Sequence, residues 1–190
     1  MRSPVHLRTA RDADAGVLVD LWADALRRAD RSQQVDDVRH VIDRVSAMPE
    51  ERIVVAEVDG DVVGAVHLRA TTLSPLNLER VVHVSSPHVL PDYRRHGIGS
   101  ALIQAAVEFA DELGIAHVGT AVATGLRESN RFMARLALGP AATLRVAATA
   151  TVKNRLRASH RPMLARGGPR QLTHVLAARR SLRRRQPLEG

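Results

Sequence analysis

Hydrophobic and polar positions in the first fifty residues follow first a strand period and then a helical one. The opening segment Val5–Arg8 alternates, which predicts a strand. Apolar residues then recur at helical spacing over Val17–Leu26 and again over Val35–Met48. We therefore expect two helices, the first with Asp12 as its N-cap and with Trp22 packed on its buried face.

From residue 53 the pattern becomes that of strands. Two β-rich runs, Ile53–Val58 and Val62–Leu68, are joined by Asp59-Gly60-Asp61. Asp-Gly between two such runs predicts a β-hairpin. A third run over Val81–Leu90 predicts the strand that follows.

Helical and extended patterns alternate in the rest of the chain. They predict a helix at Ser100–Leu113 ended by Gly114, a strand at His117–Thr124, a helix at Glu128–Leu136 and a last strand at Ala142–Val152. The order β-α-α-β-β-β-α-β-α-β predicts an α/β domain (α+β, with a mixed sheet) over residues 1–152. Residues 153–190 are then a basic C-terminal extension, with a helical pattern at 171–185.

Composition removes several classes of function. Aromatic residues make up only 2% of the 190 residues, which disfavours stacking platforms for nucleic-acid bases. The absence of cysteine excludes disulfides, thiolate metal sites and a cysteine-bound acyl intermediate. The histidines outside the third strand run show no metal-ligand spacing, so we expect no metal site. Without a signal peptide or an apolar run of about 18 residues, we expect no membrane association and a cytoplasmic protein.

The net charge of +8 is unevenly distributed. Residues 153–190 hold 11 of the 28 Lys and Arg residues and one acid, Glu189. Three interpretations of this tail stay open: a solvated extension, a docked helix that shapes an acceptor cleft or a homodimer, and non-specific contact with nucleic acid through phosphates. The charge belongs to the tail and says little about the fold.

The segment between the third strand and the long helix carries the most specific pattern. It contains Arg94-Arg95-His96-Gly97-Ile98-Gly99-Ser100. Glycine lets backbone amides approach a ligand, and the helix that follows offers unpaired N–H groups and a positive dipole end. The pattern therefore predicts an anion site at a helix N-terminus. It lacks the lysine of a Walker A loop and the first glycine of a dinucleotide fingerprint.

This turn, Arg94-x-x-Gly97-x-Gly99 preceded by Val89-x-Pro91-x-Tyr93, resembles the acetyl-CoA motif of the GNAT acetyltransferase superfamily. The predicted order of elements to about Val152 is also similar. The resemblance implies that backbone amides of Arg95–Ser100 hold the pyrophosphate of acetyl-CoA, a co-substrate. It also implies that backbone groups of Val89 and Leu90 pair with the pantetheine arm.

Acyl transfer to an amine needs a base, and members of this family often place it on the strand before the turn. His83 is our candidate for the general base, since strand parity places it on the face of Val89. His88 is expected on the opposite face unless Pro87 introduces a bulge. Glu79, at the start of the strand, is the weaker alternative.

The last helix departs from the family pattern. Where members typically have tyrosine, this chain has Met133, and a thioether cannot protonate a departing thiolate. Asn130 is a weak candidate for contact with the CoA arm, because an ordinary polar residue in a first helical turn explains it equally well.

Three functions follow from these residues. The first is an N-acetyltransferase that acts by direct attack of a small-molecule or protein amine. The second is a CoA-binding protein of the same fold with weak or lost catalysis, which Met133 favours. The third is a nucleic-acid-associated protein whose Arg-rich tail dominates its function.

Overall fold

The computed structural model describes residues 4–122, 125–142 and 144–165. The chain divides into two compact units, residues 1–139 and 140–190. The helical pattern at 171–185 lies outside the described residues. Within the described ranges, no helix has both the length and the apolar character that crossing a membrane requires.

The first unit is built on one mixed five-stranded sheet. Its strands are β1 (His6–Thr9), β2 (Glu51–Val58), β3 (Asp61–Thr72), β4 (Arg80–Val89) and β5 (Val118–Thr120). They lie in the order β1-β2-β3-β4-β5, and each neighbouring pair is antiparallel except β4 and β5, which are parallel. The predicted α/β fold with a mixed sheet is therefore confirmed.

Four helices accompany this sheet, and a fifth belongs to the second unit. They are α1 (Ala15–Leu21), α2 (Arg31–Ser46), α3 (Ile98–Glu112), α4 (Arg127–Arg135) and α5 (Thr149–Ala165). Asp30 caps α2, because its carboxylate accepts the backbone N–H of Gln33 at 2.9 Å. Gly114, with a φ of 64°, follows the end of α3 as predicted.

The predicted hairpin between β2 and β3 is confirmed. Asp59 and Gly60 both have positive φ, 53° and 91°, and Val58 pairs with Asp61 directly across the turn. Two left-handed central residues suit the right-handed twist of the flanking strands, which is why Asp-Gly is favoured here.

The predicted cap at Asp12 is wrong. A short 3₁₀ helix, Asp12–Asp14, precedes α1 with Arg11 at its N-cap position, and Asp14 is the third residue of this helix. Its carboxylate accepts the backbone N–H of Arg11 at 2.7 Å and bonds the Arg8 guanidinium at 2.7 and 3.0 Å. An inward carboxylate can stay charged at this buried position because the arginine on β1 compensates it.

The helices cover the two faces of the sheet and create two apolar cores. α3 packs against one face, where Leu102 and Phe109 are fully buried. α1 and α2 pack against the other face, around Leu18 and Ile42. Trp22 is buried in this second core, as predicted. With so few aromatic residues, both layers are filled chiefly by Val, Leu, Ile and Ala.

The predicted last strand at Ala142–Val152 is wrong. Residues 149–165 form α5, and the described residues of 140–148 belong to no helix or strand. Val152 and Leu156 are four residues apart, the spacing of one helix face, and this signal outweighs the alternation upstream. α5 also runs through the predicted domain boundary at residue 152, whereas the two compact units divide after Gly139.

Candidate functional site

A β-bulge in β4 determines which side chains share a face of the sheet. Val84 pairs with Leu68 and Ser85 with His67, but His88 pairs with Ala65. Three steps on β4 therefore match two steps on β3, and the extra residue lies at Ser86, which has a φ of 48°.

The bulge reverses the parity of β4 beyond Ser86. His83 and His88 consequently lie on the same face, the one covered in part by α1 and α2, while Val89 faces α3. The bulge that Pro87 indicated is therefore confirmed, and the expectation for a regular strand, that His83 shares a face with Val89 and opposes His88, is wrong. The physical cause is the bulge at Ser86 and Pro87, which uncouples parity from sequence spacing.

Trp22 holds this bulge in place. Its indole Nε1–H donates to the carbonyl of Ser86 at 2.9 Å, and the Nδ1 atom of His88 lies 3.3 Å from the same carbonyl. The sequence predicted Trp22 only as a packing residue. A buried indole needs an acceptor, so the signal for a polar contact was present, but its partner 64 residues away was not predictable.

A gap opens between β4 and β5. The two strands pair only over Val82–Val84, where Thr120 Oγ1 also donates to the carbonyl of Val84 at 2.9 Å. β4 continues to Val89, so its edge beyond Val84 has no strand partner on the β5 side among the described residues. An exposed strand edge of this kind offers backbone groups to an extended ligand.

The two residues predicted to pair with the pantetheine arm, Val89 and Leu90, differ in which of their backbone groups already have protein partners. Leu90 donates its N–H to the carbonyl of Val63 at 2.9 Å and accepts from the N–H of Tyr93 at 3.0 Å. Both backbone groups of Leu90 therefore have protein partners, and its contact with the pantetheine arm stays a prediction. The carbonyl of Val89 accepts only the exposed Arg94 Nε, at 3.3 Å.

The turn after β4 presents unpaired backbone N–H groups. Arg95 and Gly97 have φ values of 65° and 85°, and Gly97 is the N-cap of α3 without any side-chain cap. The first backbone bond at this end of α3 runs from the N–H of Ala101 to the carbonyl of Gly97, at 3.0 Å. The N–H groups of residues 95–100 have no hydrogen-bond partner in the described parts of the chain. Such a turn concentrates donors and a positive dipole end.

Side chains around the turn are exposed except for one anchor. Ile98 is buried in the core under α3 and fixes the turn to the sheet. Arg94, His96 and Ser100 are exposed at the rim. Arg95 lies 3.6 Å from Glu128 of α4, and both side chains are almost fully solvated. Arg94 and Arg95 therefore place positive charge at the rim of the turn while their guanidinium groups stay hydrated.

His83 lies half-buried on the face opposite α3. Its Nδ1 atom is 3.0 Å from Ser85 Oγ, and its Cα partner on β3 is Arg69. Burial lowers the pKa of His83 below 6.5, because the charged imidazolium loses water. The imidazole is therefore neutral near pH 7.

A buried carboxylate organises the same face of the sheet. Glu51, 4% exposed, lies 3.1 Å from Arg69 Nε, 3.2 Å from Arg44 Nη1 and 3.5 Å from His67 Nε2. Burial lowers the pKa of His67, and the Glu51 carboxylate partly opposes that shift. The sequence did not single out these residues, because β2, β3 and α2 bring them together only in the fold.

The remaining candidates lie apart from the gap. Glu79 precedes β4 at its far end and pairs with His117 at 3.3 Å. The amide of Asn130 donates to the carbonyl of Leu126 in its own helix, at 2.8 Å. Met133 is buried in the core beneath α3. No group of three or more His, Cys, Asp or Glu suited to a metal occurs among the residues the structure describes.

The acetyltransferase (GNAT) family model matches residues 18–138, which span α1 to α4 and include the bulge, the gap and the turn. The chain belongs to this family. The resemblance drawn from the turn is thereby confirmed. The matched region ends before α5, where the chain departs from the predicted strand.

Relatives agree with this assignment. An uncharacterized N-acetyltransferase of Archaeoglobus fulgidus is 32% identical over 76 residues, 40% of this chain. The chain spans about half the length of that relative, 52%. A transcriptional regulator of Bacillus halodurans has a similar fold, with a TM-score of 0.66, 18% identity, and coverage of 76% of this chain and 99% of the other.

An aminoglycoside N-acetyltransferase solved in complex with CoA also has this fold. Its TM-score is 0.61 at 17% identity, with coverage of 78% of this chain and 95% of the other. At these identities the two structures show a shared fold.

Proposed function

We propose that this protein transfers an acetyl group, or a close acyl group, from acyl-CoA to a primary amine by direct attack. One observation carries the proposal: the unpaired N–H groups of residues 95–100 adjoin the strand edge that β5 leaves free. A diphosphate fits the turn, and an extended amide chain fits the edge.

The length of the gap favours acyl-CoA over a simple phosphate. His83 and Val89 lie opposite Arg69 and Gly64, five residues apart on β3, which corresponds to roughly 17 Å at 3.3 Å per residue. A ligand that occupies both the turn and the face of His83 must carry a long, extended arm. The pantetheine arm has this length and carries amides that can bond a strand edge, whereas a nucleotide alone has no such arm.

His83 is the base in this proposal. With Nδ1–H directed to Ser85 Oγ, the Nε2 lone pair accepts a proton from the acceptor's ammonium group. The free amine then attacks the thioester carbon, the C–S bond breaks and the thiolate leaves. The proton that the nitrogen loses as the amide forms passes through water to the thiolate. The lowered pKa of His83 keeps the base form populated at neutral pH.

A second candidate function is CoA binding without efficient catalysis. The observation that favours it is Met133, whose side chain is buried in the core and supplies no proton. Tyr93 is the single tyrosine of the chain and packs in part against the same core. In this case the turn binds ligand while the leaving thiolate has no dedicated acid.

Two measurements separate these functions. Native mass spectrometry of the purified protein should show bound CoA for both. Thiol release from acetyl-CoA across a panel of primary amines should then exceed the rate without amine for the enzyme alone. Protein without CoA affinity would overturn both candidates. Binding to nucleic acid through the basic tail stays a prediction, because residues 166–190 lie outside the described part of the chain.

A further inference from the structure

The face of the sheet that carries His83 also carries an arginine that is largely exposed. Arg69 pairs directly across β3 and β4 with His83, so the two side chains share one face. Its Nε atom bonds Glu51 at 3.1 Å, and its side chain is 59% exposed. Among the described residues, its terminal nitrogens form no hydrogen bond.

Glu51 cannot neutralise the arginines around it. The one carboxylate faces both Arg44 and Arg69, and the burial of His67 lowers its pKa and keeps it neutral near pH 7. β3 beyond Asp61 and all of β4 contain no acidic residue. On the strands of this face, Glu51 therefore supplies one negative charge for the two arginines that it contacts.

The position of Glu51 also gives the arginine a fixed direction. Glu51 is only 4% exposed and is anchored by Arg44 of α2, so it holds Arg69 Nε on the β2 side of β3. More than half of the Arg69 side chain remains exposed. A guanidinium is a planar fork that suits the two oxygens of a carboxylate or a phosphate. An immobilised guanidinium loses less side-chain entropy on binding than a free one.

The face stays open for a ligand at this point. α1 packs chiefly on β3 and α2 on β2, and the described helices leave Arg69 and half of His83 in contact with solvent. The distance from His83 on β4 to the Glu51 side of β3 is between one and two strand spacings, roughly 5 to 10 Å.

We propose that the acceptor amine bears an anionic group, a carboxylate or a phosphate, and that Arg69, positioned by Glu51, binds this group. The amine lies at His83, and the anion lies roughly 5 to 10 Å away along the strand-to-strand direction. This inference rests on the proposed acyl transfer and narrows its acceptor to amines of negative or zwitterionic character.

The test is a series of primary amines of equal chain length that end in a carboxylate, a phosphate, an amide or a hydroxyl group. Thiol release from acetyl-CoA is measured for the wild type, Arg69→Gln and the matched control Arg52→Gln. Arg52 lies next to Glu51 on β2, but it points to the α3 side, where it contacts Phe109 and Glu112.

For the wild type we expect kcat/KM to be at least tenfold higher for an anionic end group than for the amide or the hydroxyl. Arg69→Gln should abolish this preference by raising KM for the anionic amines. Arg52→Gln should keep it. Comparison of the amines that end in a carboxylate with those that end in a phosphate shows which anion is bound. Thermal unfolding of Arg69→Gln verifies that the variant is folded.

Two results have different meanings. If neutral amines were turned over as well as anionic ones, or if the preference survived in Arg69→Gln, the anionic acceptor would be overturned and acyl transfer would stay intact. No turnover of any amine by protein that binds acetyl-CoA would contradict acyl transfer itself, and the acceptor inference with it.

Discussion

The turn at residues 95–100 relies on backbone groups, whereas the sheet face around His83 relies on side chains. The turn offers backbone N–H groups and requires little of its side chains, which are mostly exposed. The sheet face depends on side chains whose neighbours come from α1, α2, β2 and β3. The first region is local in sequence and the second is assembled by long-range contacts.

This difference separates binding from chemistry. Substitutions on the sheet face should change turnover and acceptor choice while CoA affinity stays constant. Substitutions in the backbone of the turn should do the reverse.

The largest effect is expected for His83→Gln. Removal of a general base lowers the rate by about 10² to 10⁴-fold, and the turn that binds CoA is untouched. We would measure kcat by thiol release and CoA affinity by calorimetry. His88→Gln is the matched control, since His88 lies on the same face but faces the bulge. Equal kcat for His83→Gln and wild type would remove His83 from the mechanism.

A smaller loss is expected for Trp22→Phe. Phenylalanine keeps an aromatic ring in the core but removes the N–H that bonds the Ser86 carbonyl. A lost buried hydrogen bond lowers the free energy of unfolding by about 1 to 3 kcal/mol. Because the bulge sets the direction of β4, kcat should fall further than CoA affinity. A variant with wild-type kcat would show that the bulge holds its shape without Trp22.

For Glu51→Gln we expect a change chiefly in stability. The variant removes the charge that Arg44 and Arg69 share and leaves a buried amide in place of the carboxylate. An unsatisfied buried polar group costs about 1 to 3 kcal/mol of unfolding free energy. Urea titration measures this loss. Glu50→Gln is the control, because Glu50 forms only an exposed pair with Arg80. Equal stability of the two variants would contradict an organising role for Glu51.

The smallest effect is a pH dependence shared by His67 and His83. Both pKa values lie below 6.5 in the folded protein, so between pH 6.5 and these lower values the unfolded chain binds more protons. The free energy of unfolding should therefore decrease as pH falls below 6.5. The apparent pKa on the acid side of the kcat/KM pH profile should also lie below 6.5. An apparent pKa above 6.5 on the acid side would exclude a buried, neutral His83 as the base.

The sequence predicts the local region well because its determinants are local. The glycines, the long helix and the hairpin at Asp59-Gly60 each depend on a few neighbouring residues. The bulge, by contrast, reverses parity at a single residue, Ser86, so the relative faces of His83 and Val89 could not be read from spacing. The contacts of Glu51 and Trp22 depend on register between distant strands and helices, which one sequence does not reveal.

The most direct test is calorimetric titration of acetyl-CoA into Gly97→Ala, with Gly114→Ala as its matched control. Both glycines have positive φ, 85° and 64°, at opposite ends of α3, and a Cβ at either meets no protein atom within 4 Å. Each substitution therefore introduces the same kind of backbone strain, about 1 to 2 kcal/mol. Only Gly97 lies in the turn whose N–H groups bind the diphosphate in this account.

Gly99→Ala supplies a second reference inside the turn. Its Cβ would meet Phe132 at 3.4 Å, an ordinary contact, and its φ is not left-handed. The account predicts at least a tenfold loss of acetyl-CoA affinity for Gly97→Ala, with wild-type affinity for Gly114→Ala and at most a small change for Gly99→Ala. Wild-type affinity in Gly97→Ala, or an equal loss in Gly114→Ala, would contradict CoA binding at this turn.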